Sequence, residues 1–228
     1  MSATKEPQYN VCLELRERKG LASLGLMTNY LWQHDPRHLL FLLSRYKFVA
    51  KMLSGCERVL EVGCGDGIGA RLVRQEVPEV TATDFDPVFI QDVESRQDPE
   101  WRLETRIQDF LRGPLEPVFD AAYSLDVLEH VRAEDEEMFV RNIVHSLRGS
   151  GVLIVGMPSL ASQLHASAPS RAGHVNCKDA GGLKGLMAKF FEHVFVFSMN
   201  DEVVHTGYYP MAQYLLALCC ARRGRPAA

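Results

Sequence analysis

The rhythm of apolar and polar positions changes once along the chain, near residue 57. Before it the period is helical. Leu39, Leu42, Leu43, Tyr46, Val49, Ala50 and Leu53 recur three or four residues apart, the stripe of an amphipathic helix. Asp35-Pro36 reads as an N-cap followed by proline at the first helical position, and Gly55 as the C-terminal stop. A less regular segment from Cys12 to Trp32 belongs to the same helical third.

Beyond residue 57 short apolar runs alternate with helical stretches. The pattern predicts strands over residues 58–62, 79–84, 101–108, 119–125, 151–157, 193–199 and 211–220. Helices are predicted over 68–76, 87–95, 135–147 and 182–191. Strand, helix, strand in repetition implies a parallel sheet covered on both faces. In such sheets ligands sit beyond the carboxyl ends of the strands, where the strand order reverses. The residues just after each strand are therefore the candidates for chemistry.

A length of 228 residues suits one α/β domain, and 46 % hydrophobic with 24 % charged residues is ordinary for a globular protein. A net charge of −4 argues against a broad nucleic-acid surface. The expected partner is a small-molecule substrate, with no nucleic acid and no membrane; nothing in the pattern fixes an oligomeric state. The six cysteines form no C-x-x-C pair and no zinc-like cluster. Without a signal peptide, reduced thiols and a cytoplasmic location are expected. The longest apolar run, around 211–221, is too short to span a bilayer and reads as a buried strand.

The strongest chemical feature is the glycine-rich turn Glu61-Val62-Gly63-Cys64-Gly65-Asp66-Gly67 at the end of the first strand. Glycine lets a backbone turn sharply and approach a ligand closely. Dinucleotide-binding proteins use a similar turn, and Gly65-x-Gly67-x-x-Ala70 fits its looser form. Glu61, facing the crevice, suits a cationic ligand group better than a pyrophosphate. Asp84 ends the second strand, where a carboxylate accepts both ribose hydroxyls. Phe85 beside it is placed to pack on a base, and Asp86-Pro87 reads as a helix cap.

In this turn the sequence resembles the class I S-adenosylmethionine-dependent methyltransferases. The likeness runs on through Gln108-Asp109-Phe110, similar to the acidic loop that reads the adenine edge. It continues through 119–131, similar to the fourth-strand motif of the branch that includes ubiquinone-biosynthesis O-methyltransferases, and through 151–158. The resemblance implies a Rossmann-like, seven-stranded, mostly parallel sheet with helices on both faces and the last strand antiparallel. It also implies an N-terminal helical cap over residues 1–55, a core over 56–221 and a flexible tail over 222–228. The implied cofactor is S-adenosylmethionine (product S-adenosylhomocysteine). Its implied contacts are Glu61, Gly63, Cys64, Gly65, Asp84, Phe85, Gln108, Asp109, Phe110 and Ser124.

Position selects the catalytic candidates. His130 follows the fourth strand and can take a proton from an acceptor hydroxyl near neutral pH; the bland alternative is a cap or a cofactor contact. His174 lies in the long segment 159–182, rich in small residues and expected to act as a cover. His165, Arg171, His205 and Tyr208 are weaker candidates, as are Tyr30, Trp32, Arg37 and Arg45 of the N-terminal helices. No group of residues has metal-ligand spacing, so no metal is expected. Methyl transfer to a small-molecule oxygen, ahead of nitrogen, is the expected activity. A nicotinamide-dependent oxidoreductase and a catalytically silent binding subunit are the rivals.

Overall fold

The computed structural model describes residues 3–224. Three helices precede the sheet: α1 (Asn10–Lys19), α2 (Leu26–His34) and α3 (Arg37–Met52). The expected cap on α3 is not made. Asp35 turns its carboxylate to the Nε of Arg37 at 3.1 Å, and Pro36 occupies the N-cap without a side-chain bond. The tail residues 225–228 lie outside the described residues.

The sheet has eight strands: β1 (Arg58–Val62), β2 (Glu79–Asp84), β3 (Glu104–Ile107), β4 (Phe119–Leu125), β5 (Leu147–Pro158), β6 (Phe191–Asn200), β7 (Val203–His205) and β8 (Tyr214–Arg222). Their order is β3-β2-β1-β4-β5-β8-β6-β7. The pairs from β3 to β5 are parallel, while β8 is antiparallel to both β5 and β6. The expected seven strands become eight because β6 turns back on itself and adds the three-residue edge strand β7. The apolar run near residue 215 is β8, inserted between β5 and β6 and buried over its first four residues and at Cys219.

Alternation along each strand splits the core into two layers. Leu60, Val62, Ala122, Leu153 and Val155 face α6 (Glu136–His145) and α8 (Ala180–Met187), which contribute Phe139, Ile143, Leu183 and Met187. Val59, Val80, Ala121, Tyr123 and Ile154 face the other way. There they meet α3, the short α4 (Ala70–Val73) and α5 (Pro87–Ser95). Asp86 caps α5 as expected, accepting from the Val88 amide at 2.9 Å. Among the described residues no helix is long and apolar enough to cross a membrane, and all six cysteines are free thiols.

Candidate active site

The strand order reverses between β1 and β4, so the crevice opens above their carboxyl ends. Gly63 and Cys64 both donate their amides to the Thr83 carbonyl at 2.8 Å, bending the chain sharply after β1. Gly63 and Gly65 take φ of 77° and 51°, the left-handed region where a side chain is strained. Space makes the same demand. A Cβ on Gly63 would lie 2.3 Å from Cγ2 of Val127, and one on Gly65 would lie 2.7 Å from the sulfur of Met27. Asp84 accepts from the amides of Gly65 at 3.0 Å and Asp86 at 2.9 Å. Burial raises its pKa, and those two amides oppose the rise.

Glu61 lies in the face of β1 that meets α3 and is 1 % exposed. Neither carboxylate oxygen has a hydrogen-bond partner. Burial pushes its pKa up to about 8, while the nearby Tyr46 and Tyr123 hydroxyls favour the ionised form without completing a hydrogen bond of full geometry. A buried carboxylate left without a partner costs free energy that an incoming cation recovers. Ser124 also buries a hydroxyl with no partner. The Cys64 thiol is buried, burial raises its pKa, and its Sγ donates to the Gly65 carbonyl. It is an inert wall of the turn.

Beside Asp84 lies a cleft of about 360 Å³ lined by Phe85, Ile107, Gln108, Asp109 and Arg112. The Gln108 amide donates to the Asp84 carbonyl at 2.9 Å, which sets the turn after β3 against the end of β2. The Asp109 carboxylate accepts from the Leu111 amide at 2.9 Å and pairs with Arg112 at 3.2 Å. Phe85 stands exposed at the rim. The Phe110 side chain points elsewhere. It is buried edge-on to Phe139, 6.5 Å between centroids, because the core beneath α6 takes up its ring.

After β4 the chain passes through Asp126, at a φ of 58°, into a 3-10 turn over Leu128–His130. Glu129 is fully buried and neither of its oxygens has a partner. Burial and the Asp126 charge hold its pKa well above the usual carboxylate range, with Arg45 pulling the other way. His130 donates from Nδ1 to the Gly173 carbonyl at 2.9 Å. His174 stands edge-on to it, 5.2 Å between centroids, and donates from Nδ1 to Oε1 of Gln163 at 2.8 Å. Burial and the neighbouring His130 lower the His174 pKa. Both histidines therefore keep the Nε2 lone pair free in the neutral form. The sequence shows no metal-ligand spacing; in the fold, one donor atom each from Glu129, His130 and His174 lie within 4.8 Å of one another. Spacing hid the group because His174 arrives through the fold. The Glu129 carbonyl accepts from the amides of Val175 and Asn176 at 2.8 and 3.0 Å.

The N-terminal helices dock on the glycine turn. Asp66 accepts from the Thr28 amide at 2.6 Å, and Asp92 from the Leu26 amide at 3.2 Å, so two carboxylates serve the amino end of α2. Of the other candidates, Arg37 pairs with Asp35, Tyr30 stacks on His34, and His205 on β7 pairs with Asn200. Trp32 and Tyr208 are exposed, and Arg171 donates to the Ala166 carbonyl. Sequence reasoning singled out neither Gln163 nor Met27, which carry no motif signal, nor Asp66, which lies within the glycine turn.

Sheet order, switch point and glycine turn place the chain among proteins of class I methyltransferase architecture. Residues 60–155 match the family described as "Methyltransferase domain". A probable S-adenosylmethionine-dependent methyltransferase of Mycobacterium tuberculosis (strain CDC 1551 / Oshkosh) is 36 % identical over 102 residues, covering 44 % of this chain and 35 % of that protein. A ubiquinone biosynthesis O-methyltransferase of Xylella fastidiosa (strain 9a5c) is 32 % identical over 145 residues, covering 59 % of this chain and 57 % of that one. The chain thus spans between about a third and just over half of the length of these curated relatives. In fold it is similar to the N-methyltransferase NodS of Bradyrhizobium japonicum WM9, solved with S-adenosyl-L-homocysteine. That likeness has a TM-score of 0.62 at 19 % identity, over 83 % of this chain and 91 % of that one.

Proposed function

We propose that the chain binds S-adenosylmethionine at the β1–β4 switch point and methylates an oxygen of a small molecule. The observation that carries this reading is Glu61, a fully buried carboxylate with no partner, set directly beneath the glycine turn. A cationic cofactor supplies what that carboxylate lacks; a pyrophosphate would bring like charge. Asp84, already aligned by two backbone amides, faces the ribose hydroxyls. Phe85 and the turn Gln108–Asp109 form the cleft for the adenine; Phe110 contributes backbone only. Cys64 and Ser124 line the same crevice.

When bound, S-adenosylmethionine supplies a methyl group on a positively charged sulfur, which leaves as a neutral thioether as an acceptor lone pair forms the new bond to carbon. The chain's own part is to hold the acceptor in line, and such positioning is worth roughly 7–11 kcal/mol. A hydroxyl must also lose its proton, and His130 and His174 are the groups beside which it does so. The two imidazoles stand at the lip of the crevice, placed to take that proton. The names of the ubiquinone-biosynthesis relatives support oxygen as the atom methylated.

Calorimetry with S-adenosylmethionine, S-adenosylhomocysteine and a nicotinamide dinucleotide tests the cofactor, and turnover of methyl-labelled cofactor with a metabolite extract tests the activity. Heat with both adenosyl ligands is expected. Binding of the nicotinamide cofactor alone would overturn the reading, and adenosyl binding without turnover would leave a silent binding subunit.

A further inference from the structure

We infer that Arg45 binds a carboxylate on the acceptor side of the crevice, and that the molecule methylated carries this carboxylate beside its reacting hydroxyl. The second half rests on the function proposed above. A guanidinium has five N–H donors in one plane. Among the described residues, the hydrogen bonds of Arg45 run through Nη1 alone, to both oxygens of Asp126 at 2.8 and 2.7 Å. Nε is buried with no partner, and a buried donor left in this way calls for one. Nε–H and the neighbouring Nη2–H stand side by side on one edge of the plane. That edge is the fork that matches the two oxygens of a carboxylate. It is also held still. Asp126 fixes the opposite edge, and the ring of Tyr214 lies against one face, 3.9 Å from Cζ to the centroid. A ligand therefore gains the fork without first having to order the side chain.

Position separates the fork from the cofactor side. Glu61 and Asp84 stand on β1 and β2, and the cleft of Phe85 and Gln108 lies beyond them at the end of β3. Arg45 instead meets the turn after β4 at Asp126 and the start of β8 at Tyr214, whose Cα partner is Pro158 at the end of β5. That is the far side of the switch point. Phe41 and His38 precede Arg45 by one and two turns of α3, which sets them on the same face. Their rings are 6.2 Å apart, and they offer a flat body beside the carboxylate a surface to rest on. Charge decides which oxyanion fits. Arg45 and Asp126 cancel, and burial keeps Glu129 neutral. A carboxylate then leaves one net negative charge in the pocket, whereas a phosphate dianion would leave two, close to Asp126.

The test follows the Nε–H resonance of Arg45 by nuclear magnetic resonance in the full chain, without cofactor, as benzoate is added. Arg45→Lys keeps the charge beside Asp126 but lacks the fork; it identifies the resonance by its loss. A saturable shift with benzoate is expected. Benzamide, the neutral isostere, should bind roughly 10–100-fold less tightly, the loss of a charge-assisted pair of hydrogen bonds. Calorimetry should show benzoate affinity falling by a similar factor in Arg45→Lys, with S-adenosylhomocysteine affinity unchanged. No saturable shift, equal binding of benzamide, tighter binding of inorganic phosphate, or unchanged benzoate affinity in Arg45→Lys would each overturn the inference. A parallel loss of S-adenosylhomocysteine affinity would also overturn it, since the fork would then serve the carboxylate of the cofactor. The benzoate titration contains no methyl donor, so its failure is separable from failure of the proposed methyl transfer, which labelled turnover reads.

Discussion

Nη1 of Arg45 donates to both carboxylate oxygens of Asp126, at 2.8 and 2.7 Å, and its guanidinium lies 3.9 Å over the ring of Tyr214. The contact joins α3 to the residue that leaves β4 at a φ of 58°. Helix, strained turn and central strand β8 are thus held by one side chain. The strain at Asp126 persists because the surrounding structure fixes it.

Arg45→Met should lower stability by about 1.5–3 kcal/mol, the range for a hydrogen bond to a charged group, since Asp126 keeps some access to water. Adding Asp126→Asn, which tolerates the left-handed backbone, should make the double variant less destabilised than the sum of the singles. Urea unfolding measures both. Additive effects would show that the two residues act separately.

Asp84→Ala should weaken S-adenosylhomocysteine binding by about 1–3 kcal/mol, the cost of unpairing a buried polar group. Because the same carboxylate accepts from the Gly65 amide, hydrogen exchange at Gly65 should also quicken. Calorimetry reads the first effect and exchange the second; unchanged affinity would remove Asp84 from the ribose site.

Glu61 gives stability a pH dependence of definite sign. Its folded pKa, about 8, stands above the ordinary 4.5. Its contribution is therefore present in full below about pH 4.5 and is lost as the pH climbs through 8, by about 1.4 kcal/mol per unit at most. Glu61→Gln should flatten that decline in urea midpoints measured across the window. At pH 7 a cationic cofactor should draw out the Glu61 proton. Binding heat should then depend on the ionisation enthalpy of the buffer, and the variant should lose that dependence.

His130→Ala should lower turnover by about 10²–10⁴ while leaving S-adenosylhomocysteine affinity nearly unchanged. Labelled-cofactor turnover beside calorimetry separates the two. A variant that keeps most of its turnover would make His130 a structural residue.

Legibility followed the range of the interactions. β1, β2, β4 and α5 start and stop at the predicted residues, because local signals set them: apolar runs closed by Gly63, by Asp84 and by the Asp86-Pro87 cap. The strand predicted from residue 151 begins earlier, at Leu147, which pairs with Phe119 of β4 across a shift in register. The predicted helix over 68–76 shrinks to Ala70–Val73. β7 is three residues long and exists through its hairpin with β6, too little for periodicity to register. The residues proposed to hold the cofactor could be picked from the sequence because each strand end carries its own. The grouping of Glu129, His130 and His174 could not, since long-range folding alone brings the third member in.

The fit of Gly63 against Val127, where an added Cβ would come within 2.3 Å of a methyl group, has an evolutionary consequence. The glycine turn after β1 and the turn after β4 share a single atom's width of space. Alanine at position 63 would first require a smaller residue at 127, and the left-handed backbone would still resist it. The route to a new acceptor therefore runs through 159–178 and the N-terminal helices. The first residues past β4 are locked to the glycine turn after β1 and cannot drift by themselves.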